Sequence, residues 1–153
     1  MKRGLFLLVS LVLFAGCDFS RVFEANTPIE NAKWKQTQAV SFNFELESVA
    51  QAYHLYFNLR NNQTFKYSNL YVLSELKTPS GSLEKDTLEF ILADRNGKWL
   101  GKTGGALVTH QIMFQRNVVF PDSGTYSISF SQIMRDIALA GVTDVGFRLE
   151  KSE

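Results

Sequence analysis

The sequence predicts an all-β protein: a single β-sandwich, jelly-roll- or immunoglobulin-like, of about eight strands. Three observations predict it. Apolar residues recur at every second position in several short runs, as half-buried strands require. Turn-forming residues separate those runs at short intervals. One stretch alone, near residues 132–140, has helical spacing instead. A composition of 45% hydrophobic and 13% aromatic residues supplies the core, where a disordered chain would be poorer in both.

The elements follow in order. Val40, Phe42, Phe44 and Leu46 alternate with Ser41, Asn43, Glu45 and Glu47, a strand with one buried face. Leu55, Phe57 and Leu59 repeat the pattern and set His54, Tyr56, Asn58 and Arg60 on the other face. Asn61-Asn62-Gln63 then reads as a turn. Residues 69–76 form the next strand, closed by Thr78-Pro79-Ser80-Gly81. Residues 87–93 follow, with Leu88, Phe90 and Leu92 on one face. Asn96-Gly97 supplies the two positive-φ positions of a type I′ hairpin turn, and the return strand carries Trp99 and Leu100 until Gly101, Gly104 and Gly105 break it. Residues 106–116 and 118–120 are two strands separated by Asn117, and residues 125–130 alternate again through Tyr126, Ile128 and Phe130. Ile133, Met134, Ile137 and Ala140 then predict a short helix, with Gly141 as its C-cap. Val145, Phe147 and Leu149 form the last strand.

The N-terminus has a different character. Lys2 and Arg3 precede a nearly continuous apolar run, Leu5 to Ala15. That run falls well short of the about 20 residues that cross a bilayer and has the length and flanks of a signal-peptide core. It ends Phe14-Ala15-Gly16-Cys17. Small residues before a cysteine suit the active site of a lipoprotein signal peptidase, although Phe14 stands where leucine is commonest. The expectation is cleavage after Gly16, with diacylglycerol on the Cys17 thiol. At ~0.8 kcal/mol per buried CH₂, two or three acyl chains anchor stably. The expected organisation is therefore a cleaved signal peptide over 1–16, the lipidated Cys17 and a tether over 17–38, and the sandwich over 39–150. Loss of Lys2 and Arg3 reduces 16 basic residues to 14 against 15 acidic ones, so a net charge of +1 becomes −1.

Such a balance argues against a nucleic-acid partner bound through its phosphates. One cysteine excludes a disulfide framework or a cysteine-rich metal site. His54 and His110 are the only imidazoles and lie on strands among apolar neighbours, where a structural role is the commoner one. No Gly-x-Ser-x-Gly or His-Glu-x-x-His pattern occurs. Asp94-Arg95-Asn96-Gly97 has a partial look of a calcium loop without its remaining ligands, and reads better as the hairpin turn. The three glycines open no helix, so they make a poor phosphate cradle. No catalytic residue, cofactor or metal site is expected beyond the covalent lipid. Tyr53, Tyr56, Tyr67, Tyr71 and Trp99 are the candidates for an exposed aromatic platform that stacks sugar rings, which gives a second reading as a glycan- or peptidoglycan-binding module. Asp86-Thr87-Leu88 fits a short O-glycosylation sequon and Asn62-Gln63-Thr64 the N-linked pattern.

A set of short motifs, in order, carries a resemblance. They are Cys17-Asp18, Trp34, Asn58-Leu59-Arg60-Asn61, Tyr67-Ser68-Asn69-Leu70-Tyr71, Asp86-Thr87-Leu88 and Gly97-Lys98-Trp99-Leu100-Gly101, then Phe120-Pro121, Gly124-Thr125-Tyr126, Gln132 with Met134-Arg135, and Val145-Gly146-Phe147-Arg148. Together they make the chain resemble the gliding motility lipoprotein GldH family. The resemblance implies a non-enzymatic envelope lipoprotein, a scaffold or stabilising component linked to gliding and to type IX secretion. It implies envelope proteins of that machinery as partners and carries over one residue with a chemical role, Cys17. The segment Phe19-Ser20-Arg21 lacks the acidic cluster that, as the resemblance implies, directs lipoproteins to the cell surface in gliding bacteria. The expected location is therefore the periplasmic face of the outer membrane.

Overall fold

A computed structural model describes residues 20–47 and 49–153. The chain is all-β: eleven strands in three sheets among the described residues, with a single 3-10 turn at Glu30–Ala32. The strands are β1 (Arg21–Pro28), β2 (Lys33–Lys35), β3 (Val40–Leu46), β4 (Ala52–Asn62), β5 (Asn69–Lys77), β6 (Leu83–Ile91), β7 (Lys102–Gly104), β8 (Leu107–Val119), β9 (Gly124–Gln132), β10 (Ala138–Ala140) and β11 (Val142–Lys151). The large sheets run in the orders β1-β11-β4-β8-β7 and β3-β9-β5-β6, and β10 with β2 makes a small ribbon. Every pairing is antiparallel.

The alternating runs bury the faces expected of them. Val40, Phe42, Phe44 and Leu46 turn inward from one sheet. Leu55, Phe57 and Leu59, with Val145, Phe147 and Leu149, do so from the other. Their rings meet between the sheets. Phe57 stacks on Phe90 with centroids 4.4 Å apart and meets Phe130 edge-on at 5.0 Å, and Phe44 packs on Phe147 at 5.3 Å. Each such ring contributes about 1.5–3 kcal/mol by leaving water. The Tyr126 hydroxyl reaches out of this core and donates to the Asp122 carbonyl at 2.8 Å, closing the turn before β9.

Four expectations need correction. The segment drawn as a tether is mostly fold: β1 pairs with β11 from Arg21 to Pro28, while Trp34 of β2, the one residue of that segment expected to dock on the domain, is fully buried. Phe23 is the only bulky side chain that β1 turns toward the core, so its alternation was too thin to read. The helix near 132–140 does not form. The Gln132 side chain is fully buried and takes over the local backbone hydrogen bonds, with Nε2 donating to the carbonyls of Asp136 (2.8 Å) and Trp34 (3.2 Å) while Oε1 accepts from the Met134 amide at 2.8 Å. Ala138–Ala140 then pairs with Lys33–Lys35, so Met134 and Leu139 are buried but Ile133 and Ile137 are exposed. The hairpin turn at Asn96-Gly97 is not type I′, because only Gly97 has positive φ (79°). Gly97 N–H bonds Asp94 C=O and Asp94 N–H bonds Lys98 C=O, a longer loop whose return is the single bridge Ala93–Trp99. Finally, β8 runs through Asn117 as one strand, with that residue at φ 54°, and the count rises from about eight strands to eleven.

Candidate functional site

The outward face of the five-stranded sheet carries a cluster of polar side chains bonded to one another across four strands. Register explains the grouping. Asn58 of β4 lies opposite Gly146 of β11 and Gln111 of β8, and Gly146 lies opposite Asn26 of β1. One step along, Arg148 is flanked by Glu24 and Tyr56, and on the other side Arg60 is flanked by Asp144 and Thr109. Gly146 is required by close approach. A Cβ there would lie 2.7 Å from the Ala25 carbonyl and would strike the Asn26 side-chain oxygen.

Glu24 is the hub. Its Oε2 accepts from Arg148 at 2.7 Å and from Arg21 at 3.2 Å. Its Oε1 accepts from the Asn58 amide at 3.0 Å and the Gln111 amide at 3.4 Å. Burial alone would raise the Glu24 pKa, but the hydrogen bonds from Arg148, Arg21 and Asn58 and the Arg148 charge together hold it below the ordinary carboxylate value. Arg148 also donates through Nε to Glu150 Oε1 at 2.6 Å, and its side chain is only 11% exposed. Arg60 is a contrast: 45% exposed, 3.7 Å from Asp144 and loosely bonded to Thr109. Between these groups lies a shallow depression of about 150 Å³, rimmed by Asn26, Asn58, Arg60, Gln111 and Asp144. Its chemistry is that of donors and acceptors for binding. Both carboxylates that line it are engaged, Glu24 by four hydrogen-bond donors and Asp144 by Arg60.

The histidines are held structurally. His110 is buried, with Nε2 3.0 Å from Asn61 Oδ1. Because the Asn61 amide donates to the Asn62 carbonyl, its oxygen is the acceptor and Nε2 carries the proton. Burial pushes the His110 pKa down, so the ring is neutral, with Trp99 set edge-on at 6.1 Å. His54 Nδ1 accepts the Asn117 amide at 3.2 Å. Among the described residues no group of three or more His, Cys, Asp or Glu could hold a metal ion.

The remaining candidates are dispersed. Asp94 spends its carboxylate on its own turn, accepting from the amides of Asn96 and Lys98. Asn62 likewise accepts from the Thr64 amide and hydroxyl. Asp86 and Thr87 are exposed on β6. The aromatic platform does not assemble: Tyr53 is buried, Trp99 packs on Phe65 and His110, and Tyr67 bonds Asp136. Tyr71 is exposed at 39%, and Tyr56 is half-buried beside Arg148 and Glu150. Cys17 lies outside the described residues. Sequence reasoning missed Glu24 and Asn26, which fell in the supposed tether, and Gln111; the alternation of Phe23 and Ala25 with Glu24 and Asn26 was the one available signal.

The GldH lipoprotein family model matches residues 21–149, from the first residue of β1 into β11. A gliding motility lipoprotein GldH homolog of Christiangramia forsetii is 38% identical, over 95% of this chain and 93% of that protein. The gliding motility lipoprotein GldH of Flavobacterium johnsoniae is 31% identical, over 99% of this chain and 98% of its own length.

Proposed function

The chain belongs to the GldH lipoprotein family, and from that premise we propose that it is a non-enzymatic envelope lipoprotein of the gliding machinery, which scaffolds or stabilises a complex also linked to type IX secretion. The observation that carries this reading is the family match across nearly the whole folded chain. The hydrogen-bonded face built around Glu24 and Arg148 suits it, because such a face binds and positions without reacting. Cys17 carries the lipid, the mature chain begins there, and the protein works at the periplasmic face of the outer membrane. The framework is a jelly roll. With the short strands β2, β7 and β10 set aside, the eight long strands fall in two sheets in the orders first-eighth-third-sixth and second-seventh-fourth-fifth. Winding one long antiparallel hairpin, which pairs first with eighth and fourth with fifth, produces that order.

The test is Cys17→Ala in a gliding cell. The variant is expected to leave the membrane fraction and to lose gliding, while His54→Ala keeps it. Retention of Cys17→Ala in membranes refutes the anchor. A glycan-binding role rests on the exposed side chains of Asn26 and Gln111. Pull-down on cell-wall sacculi that depends on Asn26 and Gln111 would replace the scaffold reading with it.

A further inference from the structure

We propose that one end of the sandwich, formed by the start of β1, the ends of β3, β8 and β11 and the loop before β4, lies against the bilayer, and that a groove there receives zwitterionic phospholipid headgroups. This rests on lipidation of Cys17 and deepens that reading.

Chain length sets the approach. The Lys151 amide bonds the Ser20 carbonyl at 2.7 Å, so the chain is pinned to β11 by residue 20. Only three residue steps separate Ser20 from Cys17. At about 3.3–3.6 Å each, they reach at most about 11 Å. A lipidated Cys17 sits at headgroup level, so this end of the fold has no room to stand off. The stretch expected as a tether is therefore pinned to the fold already at Ser20, three residue steps from Cys17.

The surface at that end fits such a neighbour. Val49, in the loop after β3, Val119, at the end of β8, and Val22, at the start of β1, are 44%, 60% and 38% exposed. Beside them is a groove of about 590 Å³ lined by Arg21, Lys151, Glu45, Glu47, Val22 and Leu46, among others. Two cations and two carboxylates share one groove with aliphatic walls. A phosphoethanolamine headgroup carries the matching pair, a phosphate for Lys151 and for the exposed edge of Arg21, whose Nη1 already bonds Glu24 at 3.2 Å, and an ammonium for Glu45 and Glu47. A purely anionic lipid would meet both carboxylates without compensation. The β2–β10 ribbon with Ile137, 76% exposed, lies at the opposite end of β11, about 30 Å farther from the membrane for a ten-residue strand.

The experiment uses the full-length acylated protein in vesicles of phosphatidylethanolamine with a minor share of phosphatidylglycerol. A nitroxide is placed in turn on Val49→Cys, Val119→Cys and Ile137→Cys, and its accessibility to a water-soluble relaxation agent is read by electron paramagnetic resonance. Accessibility at Val49 and Val119 is expected to be several-fold below that at Ile137, and the Val49 label to be motionally restricted. Reversal of charge with Lys151→Glu, which leaves the Arg21–Glu24 pair in place, is expected to free the Val49 label while the protein stays in the vesicle fraction. Equal accessibility at all three positions overturns the orientation, and restriction that survives charge reversal overturns the headgroup site. Mass spectrometry of the N-terminal peptide in the same samples separates these failures from loss of the anchor: no acyl chains on Cys17 refutes lipidation itself, and the proposal with it.

Discussion

Arg148→Met tests how the polar face of the five-stranded sheet contributes to stability. The substitution keeps most of the side-chain stem and removes only the guanidinium. That group is 11% exposed and serves two carboxylates, Glu24 at 21% and Glu150 at 17%. Truncating one partner of a fully buried pair costs about 3–5 kcal/mol, because a charge is left uncompensated. Here water can partly re-enter, and Glu24 keeps Arg21, Asn58 and Gln111 as donors. Glu150 loses its guanidinium partner. The expected cost is therefore about 2–3 kcal/mol. At about 3–4 °C per kcal/mol for a chain of this size, the melting temperature falls by roughly 8 °C. Circular dichroism during heating, with Arg60→Met as the companion, decides the matter. Arg60 sits 3.7 Å from Asp144 and is 45% exposed, so screening limits its loss to about 0.5 kcal/mol. The sign with pH is also fixed. Glu24 is held low in the fold, so its contribution is complete above the unfolded carboxylate value and is lost as the pH falls through the folded one. Arg148→Met should flatten that acid limb. Equal losses for Arg148 and Arg60, or an unchanged acid limb, would refute the account of a partly buried hub.

Three further outcomes are expected. Gly146→Ala places a Cβ 2.7 Å from the Ala25 carbonyl and should lower stability by about 1–3 kcal/mol; recovery by a second change, Asn26→Ala, should be partial, since backbone cannot yield as a side chain does, and full recovery would contradict this. His110 is neutral by burial while the unfolded ring protonates, so stability should be full above the ordinary value of 6.5 and decline below it, by up to about 1.4 kcal/mol per pH unit. His110→Gln should remove that decline, and thermal melts at about pH 7 and 5.5 would measure it. Gln132→Leu strands the Met134 amide and removes the side-chain donor from the Asp136 and Trp34 carbonyls, of which Trp34 keeps its ladder pairing with Leu139, at about 1–3 kcal/mol for each buried group left unsatisfied. Because Trp34 is wholly buried, its fluorescence should shift to the red as the β2–β10 ribbon loosens, and an unshifted spectrum would show the glutamine to be dispensable.

The legible part of the fold is the part with large side chains in strict alternation. Phe42, Phe44, Leu55, Phe57, Leu59, Phe147 and Leu149 could be assigned a buried face without any partner, because burial of a strand face is a property of its own residues. Less of the polar site was legible. Tyr56, Asn58 and Arg60 were correctly set on the outward face, yet nothing local says which carboxylate meets Arg148. Glu24 is 124 residues away in the chain, on a strand with too little apolar surface to be recognised. The same limit explains the helix that is a bend and a short strand: Ile133, Met134, Ile137 and Ala140 have helical spacing, but the buried Gln132 supplies competing hydrogen bonds from inside the fold.

The sequence by itself determined the all-β class, the inward faces of the strong strands and, through the order of its short motifs, the family. Those are local or linear properties, set by side-chain burial and by succession along the chain. Only the tertiary structure decided that residues 21–35 belong to the domain, that Glu24, Asn58, Gln111 and Arg148 share one network, and that β11 pins the chain at Ser20. These depend on which strands pair and in what register, and pairing is chosen by the whole core at once.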